Sequence, residues 1–337
     1  MKSSPYGKRI DDLVQLGCRY EETIIARHGT NPLEDAKLLR NYKNMLQRIR
    51  PDIVFTYTIK PNIYGGIACS RVGIPFIVNI TGLGTAVEQH GILQIITTTL
   101  YRYVLRNAQK VFFQNQENLD FMVNRGIINQ HYTLLPGSGV NLTHYRPLPY
   151  PNQEIVDFIF VARVMKEKGI DQYLDAAKYI RSKYTYTRFH ICGAYEQDYA
   201  NVIEHLQQNG IVLYHGLVKD MIPIYQMASC TIHPTYYPEG MSNTLLESCA
   251  SARPIITTDR SGCREIVEDG VNGFVCKQQD SEDLIRQIEK FLALSYEARK
   301  EMGLAGRLKV EKEFDRQIVI EKYLEEMMVS WTNIKNS

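Results

Sequence analysis

No window of the 337 residues reaches the roughly 18–20 uninterrupted apolar positions that a membrane-spanning helix needs. The opening MKSSPYGKRIDDLVQLG has no apolar centre of a signal peptide, so the chain is expected to stay in the cytoplasm. Cysteine is sparse and scattered. Cys18, Cys69, Cys192, Cys230, Cys249, Cys263 and Cys276 form no C-x-x-C pair and no closely spaced Cys/His set, which argues against a metal or redox centre and for reduced core thiols. An excess of one charge is also missing. With 39 Lys and Arg against 37 Asp and Glu, the net charge is +2 and no clustered basic face appears, so nucleic acid is excluded as a partner.

What is present is an ordinary folded composition, 44% hydrophobic and 23% charged, at a length that suits two α/β domains. From about residue 34 short apolar runs alternate with longer amphipathic ones, the pattern of βαβ units around a parallel sheet. Strands are expected at 51–58, 74–81, 111–115 and 132–137, with helices over 62–73, closed by Gly73, and over 92–108. Pro147, Pro149 and Pro151 then break the pattern and mark an extended linker. Beyond it, strands at 155–162, 187–193, 211–215, 230–234, 254–258 and 273–276 make a second Rossmann-like unit. The expected division is therefore a first domain at 1–145, a second at 146–315, and a final helix, 316–337, that packs back across the interdomain face. Residues 1–20 are polar and carry no opening strand with a glycine turn, so the first domain reads as lacking its first βα units.

Two segments carry chemistry. In Glu239-Gly-Met-Ser-Asn-Thr-Leu-Leu-Glu247 the two carboxylates lie two turns apart on a helix expected to begin near Gly240. Gly240 lets the backbone approach a ligand, Met241 follows it, and the N–H groups of Ser242, Asn243 and Thr244 offer an anion site. A plain helix cap with a solvated glutamate is the competing reading. In Arg163-Val-Met-Lys-Glu-Lys168-Gly169, two cations at a strand-to-helix turn suit a diphosphate, because Arg grips two oxygens in a fork while Lys adds a compact charge. A basic surface loop is the alternative there. Gly193, at the end of TRFHICG, would permit close approach of a nucleotide.

These residues, with TIKPNIYGG, NITGLGT, FFQNQENLDFM, GSGVN and RPIITTDRSGCREIVEDGVNGFV, resemble the GT-B family four of retaining glycosyltransferases, notably those assembling bacterial capsule, lipopolysaccharide and other glycans. The resemblance covers about residues 28 to 325. It implies an α/β, GT-B fold of two Rossmann-like domains facing across a cleft, and a nucleoside-diphosphate sugar donor, most often a UDP-sugar. By the family's E-x7-E pattern Glu239 faces the donor sugar and Glu247 binds the ribose, while Arg163 and Lys168 hold the diphosphate. It also implies no cofactor and no metal, in keeping with the lack of a D-x-D motif. On the acceptor side Thr81 and Gly82 are expected to face the cleft, Thr81 standing where relatives often have a histidine, and Lys60 is a candidate for an acceptor phosphate. A lipid-diphosphate-linked glycan at the inner membrane face fits the relatives as acceptor. The helix around Leu100-Tyr-Arg-Tyr-Val-Leu-Arg106 reads first as a core helix and second as a peripheral membrane contact. Two other classes compete: a nucleotide-sugar epimerase, and an inactive fragment that binds donor and needs a complementing chain.

Overall fold

In the inner strands short apolar runs rich in Val, Ile and Phe are buried on both faces, as parallel sheets covered by helices require, while the edge strands stay partly exposed. The computed structural model describes residues 7–23, 25, 31–83, 87, 91–152, 154–238 and 240–336. In the first domain β1 (Val54–Tyr57), β2 (Phe76–Ile80), β3 (Lys110–Phe113) and β4 (Tyr132–Leu134) lie side by side in chain order, all parallel. Every residue of β2 is buried. The strands are shorter than the expected windows because turn geometry trims them: β1 ends against Thr58, which takes a left-handed φ of 67°.

The second sheet contains β5 (Val156–Val161), β6 (Thr187–Cys192), β7 (Leu213–Gly216), β8 (Cys230–His233), β9 (Ile255–Thr258) and β10 (Gly273–Cys276). Its order is β10-β9-β8-β5-β6-β7, again all parallel. Chain direction across the sheet therefore reverses between β5 and β8. Connections leave those two strands to opposite sides, and a crevice opens at their carboxyl ends, the place where open α/β sheets bind ligands.

The expected helix over 62–73 divides into a π-helical turn, Pro61–Gly65, and an α-helix, Gly66–Val72, with Gly73 closing it at φ 77°. At the far end, the helix Arg316–Asn336 leaves the second domain and covers a face of the first sheet. Val319 joins Ile77, Phe112 and Leu135 in one apolar cluster, and the Tyr323 ring lies 5.5 Å from that of Phe55 and 4.9 Å from that of Phe112. The Tyr323 hydroxyl donates to Asn79 Oδ1, and Lys110 pairs with Glu326 at 2.9 Å. The two passages between the domains run together: Val140 N–H donates to Phe314 O (2.8 Å) and Arg316 N–H to Val140 O (3.1 Å).

The proline-rich linker is held down by Arg253, which is fully buried. Its guanidinium donates to the carbonyls of Leu148 (3.1 Å), Pro149 (2.7 Å) and Tyr225 (2.7 Å), and burial lowers its pKa to about 10. One expectation about the thiols is corrected here. Six cysteines are buried, but Cys18 is exposed, because the helix Gly7–Gln15 that precedes it presents Leu13 and Val14 to solvent and builds no core around it.

Candidate functional site

The crevice between β5 and β8 is built by two loops that clamp one another. After β5 the chain runs through Arg163 into a 3-10 turn, Lys166–Lys168, and on into the helix Ile170–Lys183. After β8 it runs through Pro234 and Thr235. Tyr236 N–H donates to Glu167 O (3.0 Å), the Thr235 hydroxyl donates to the same carbonyl (3.2 Å), and the Thr244 hydroxyl donates to Val161 O at the end of β5 (3.0 Å). These bonds fix the basic turn against the segment that leads to Gly240.

Arg163 and Lys168 come together at this place, on the ring of Tyr237. Lys168 Nζ lies 4.7 Å from the ring centroid and Arg163 Cζ 5.7 Å. Lys168 is buried, whereas Arg163 is 45% exposed and pairs with Glu196 at 3.2 Å. A pair so open to water contributes about 0–1 kcal/mol. Glu196 therefore holds the Arg163 guanidinium only weakly.

The helix that follows starts later than its sequence implies. Its first residue is Asn243, not one near Gly240, and it runs to Ala250 with Ser242 as N-cap. The reason is local: Ser242 N–H is already bonded to Gly262 O (2.8 Å), so it is not a free anion donor. Asn243 and Thr244 hold the first two helical positions, where N–H groups have no acceptor within the helix. Asn243 Oδ1 accepts from Ser138 Oγ (2.8 Å), which ties the GSGVN segment of the first domain to this helix start. Met241 is buried and packs directly on Gly137 of that segment.

Glu247 sits about one turn further on. Tyr225 OH donates to its Oε2 at 3.2 Å. Burial raises the Glu247 pKa above the usual carboxylate range, although Tyr225, Tyr145, Arg316 and His144 all favour the charged form. Tyr225 in turn is pushed well above an ordinary phenol, by burial first and by the Glu247 charge second. Glu239, the other member of the E-x7-E pattern, lies outside the described residues.

Two glycines have close neighbours other than a ligand. A Cβ on Gly193 would lie 1.7 Å from Ala162 O, so this glycine, at φ 156°, is required for the loops after β5 and β6 to pack. On Gly240 a Cβ would lie 2.3 Å from Thr81 O and 2.3 Å from Gln114 Oε1. The group that approaches Gly240 is thus the backbone of the opposite domain. Asn115 Nδ2 completes this contact by donating to Gly240 O (2.7 Å), while its Oδ1 caps the helix Gln116–Asn124 by accepting from Asn118 N–H (2.8 Å). Thr81, followed by Gly82 at φ 137°, therefore stands across the crevice from Gly240. Lys60 does not join them. Its ammonium is 2.7 Å from Asp35 Oδ1, and Tyr64 OH donates to the other oxygen of the same carboxylate (2.8 Å), a pairing that fixes the helix Pro32–Ile49. Among the described residues no group of three or more His, Cys, Asp or Glu is placed to hold a metal ion.

Sequence reasoning passed over Tyr237, Asn115 and Glu196. Asn115 sits in the FFQNQENLDFM stretch and Tyr237 two residues before Glu239, but their roles arise only when distant loops meet.

Comparison with known proteins assigns each half. The family described as Glycosyl transferases group 1 matches residues 150–309, and the one described as Glycosyl transferase 4-like matches residues 3–115. A Campylobacter jejuni N,N'-diacetylbacillosaminyl-diphospho-undecaprenol alpha-1,3-N-acetylgalactosaminyltransferase is 22% identical over 95% of this chain and 88% of its own. The putative Bacillus subtilis glycosyltransferase EpsD is 32% identical over 51% of this chain and 48% of its own. Among solved structures, a glycosyltransferase from Rickettsia africae superposes with a TM-score of 0.77 at 18% identity, covering 97% of this chain and 88% of that one. Anabaena Alr3699/HepE, determined in complex with UDP-glucose, gives 0.75 at 16% identity over 96% and 89%. With these matches over both halves and two parallel-sheet domains meeting at Gly240, the chain belongs to the group 1 and 4-like glycosyltransferases and has their GT-B fold.

Proposed function

We propose that this glycosyltransferase moves a sugar, with retention of anomeric configuration, from a nucleoside-diphosphate sugar to a lipid-diphosphate-linked bacterial surface glycan. UDP is the expected nucleotide, since HepE was solved with UDP-glucose, and the lipid-linked acceptor follows the Campylobacter relative's name. A hexose or N-acetylhexosamine is the expected cargo. The carrying observation is that the Arg163–Lys168 turn and the start of the Asn243–Ala250 helix share the crevice where strand order reverses.

In this reading the diphosphate takes Glu196's place on Arg163 and reaches Lys168 and the N–H groups of Asn243 and Thr244. Glu247 accepts from the ribose hydroxyls, and Glu239 faces the sugar. Thr81 and Gly82 line the acceptor side, with the domains divided at 145/146 and the last helix bridging back. The acceptor hydroxyl attacks the anomeric carbon on the face the diphosphate is leaving. The C1–O(phosphate) bond breaks, the new C1–O bond forms, and the acceptor proton passes to the departing phosphate oxygen. Arg163, Lys168 and the helix start stabilise the charge that builds there, which is the largest contribution such a site makes. No cofactor or metal enters this scheme.

Calorimetric titration of UDP and a UDP-sugar panel into the wild type, Arg163→Ala and Glu247→Ala tests it. Losing a charge-assisted bond should weaken binding by about ten- to a hundredfold. A well-folded wild type that bound no nucleotide would overturn the donor assignment.

A further inference from the structure

The helix Ile92–Asn107 has one face in the core and another in solvent. Its inner face buries Thr97, Tyr101, Val104 and Leu105 in the first-domain core. Within residues 100–106 Tyr101, Val104 and Leu105 belong to the core, while Tyr103 and Arg106 face solvent. On the outer face, Ile92 is 78% exposed, Ile95 65%, Ile96 51% and Tyr103 51%, a spacing of three, four and seven residues that makes one stripe. Soluble surfaces seldom leave so many large apolar side chains in one row. The hydroxyls of the threonines beside them bond back to the helix's own carbonyls. Thr98 Oγ1 donates to Gln94 O (2.7 Å) and Thr99 Oγ1 to Ile95 O (2.7 Å), so their methyl groups extend the apolar surface.

Charge identifies the occupant. The helix contains no Asp or Glu, and its far end carries Arg102 and Arg106. Arg102 donates to the carbonyls of Arg125 (3.2 Å) and Gly126 (3.4 Å), which brings a third arginine, Arg125, to the same end. A protein interface places its apolar centre inside a polar rim of mixed charge. An apolar stripe on a helix whose only charged side chains are arginines, about 24 Å long, matches an anionic bilayer surface, where the apolar side chains enter the acyl boundary and the guanidinium groups meet lipid phosphates.

Topology places this surface usefully. The helix follows β2 and precedes β3 in a parallel crossover, so its first turns lie at the carboxyl end of the strands. That is the end where Thr81 meets Gly240. We propose that the Ile92–Tyr103 stripe docks the enzyme on an anionic phospholipid membrane, with the mouth of the crevice turned toward the lipid-linked acceptor. This deepens the lipid-linked reading of the acceptor and rests on it for its purpose, but membrane binding is testable by itself.

The test is flotation of the full chain with vesicles of phosphatidylcholine alone or mixed with phosphatidylglycerol. Wild type should float with the anionic vesicles, and binding should fall as salt is raised. A variant carrying Ile92→Glu, Ile95→Glu and Ile96→Glu should lose at least about tenfold in vesicle affinity while keeping its UDP affinity and Tm, because all three positions face solvent. Single Ile95→Glu should give an intermediate loss, and Arg106→Gln a smaller one confined to anionic vesicles. Transfer to a short-chain, water-soluble acceptor analogue should be unchanged in the triple variant. Failure of that transfer in the wild type would count against the acceptor reading and not against the surface. Undiminished vesicle binding by the triple variant would overturn the proposal. So would a wild-type dimer that the triple variant breaks, since the stripe would then serve a second copy.

Discussion

Asn115 Nδ2 donates to Gly240 O across the crevice at 2.7 Å, from a side chain that also caps its own helix. One residue of the first domain thereby sets both a local helix start and the distance between the two domains, with Arg264 and Glu117 adding an exposed pair nearby at 3.0 Å.

Asn115→Asp separates these two jobs. The carboxylate still caps Asn118 N–H, but it can no longer donate and sets an acceptor against Gly240 O. Stability should fall by about 1–3 kcal/mol, the cost of a buried carbonyl left unpaired. Turnover should fall by more than UDP affinity does, because the bond joins acceptor and donor sides. Steady-state kinetics with UDP titration would check this. Equal losses in both would show that Asn115 acts only through the second domain.

Tyr237 is predicted to position the two cations of the diphosphate turn. Tyr237→Phe keeps the ring and should bind UDP as the wild type does. Tyr237→Ala should weaken UDP binding by about three- to tenfold, the range of a partly desolvated cation–π contact. Thermal melting should barely move, because the clamp between the loops uses Tyr236 and Thr235. If the alanine variant bound UDP normally while Arg163→Ala did not, the ring would be a bystander.

The legibility of this molecule divides along the same lines. Alternating strands and helices are a short-range pattern, and the sequence alone places both sheets within a few residues. The turn from Arg163 to Gly169 and the helix start at Asn243 are legible because each follows a strand. What the sequence hid is long-range. Ser242 looks like a free anion donor until Gly262 O occupies its N–H, and Lys60 looks available until the Asp35 carboxylate, 25 residues earlier, neutralises it. Gly193 and Gly240 announce close approach correctly, but a glycine cannot say whether the neighbour is a ligand or another piece of backbone. Arg253 gave no signal at all, because its carbonyl partners are contributed by a linker and by Tyr225.

Glu247 carries the last prediction, where stability and binding oppose each other. Burial raises its folded pKa, so the native state holds a proton more tightly than the unfolded chain does. Between the ordinary carboxylate value and the raised one, the native state binds more protons, and stability must fall as pH rises through that window. Above the window the ionised, half-buried carboxylate is a standing cost. Glu247→Gln removes it while leaving an acceptor for Tyr225 OH. The variant should melt at a higher temperature than the wild type at neutral pH, with the advantage shrinking as pH falls toward the unfolded carboxylate value. Its UDP affinity should drop by about tenfold, since a neutral amide is a weaker acceptor for the ribose hydroxyls. Melting curves across pH with parallel titrations of UDP check both halves. A variant less stable than the wild type at neutral pH would mean that the bonds from Tyr225 and Tyr145 outweigh the burial of the charge.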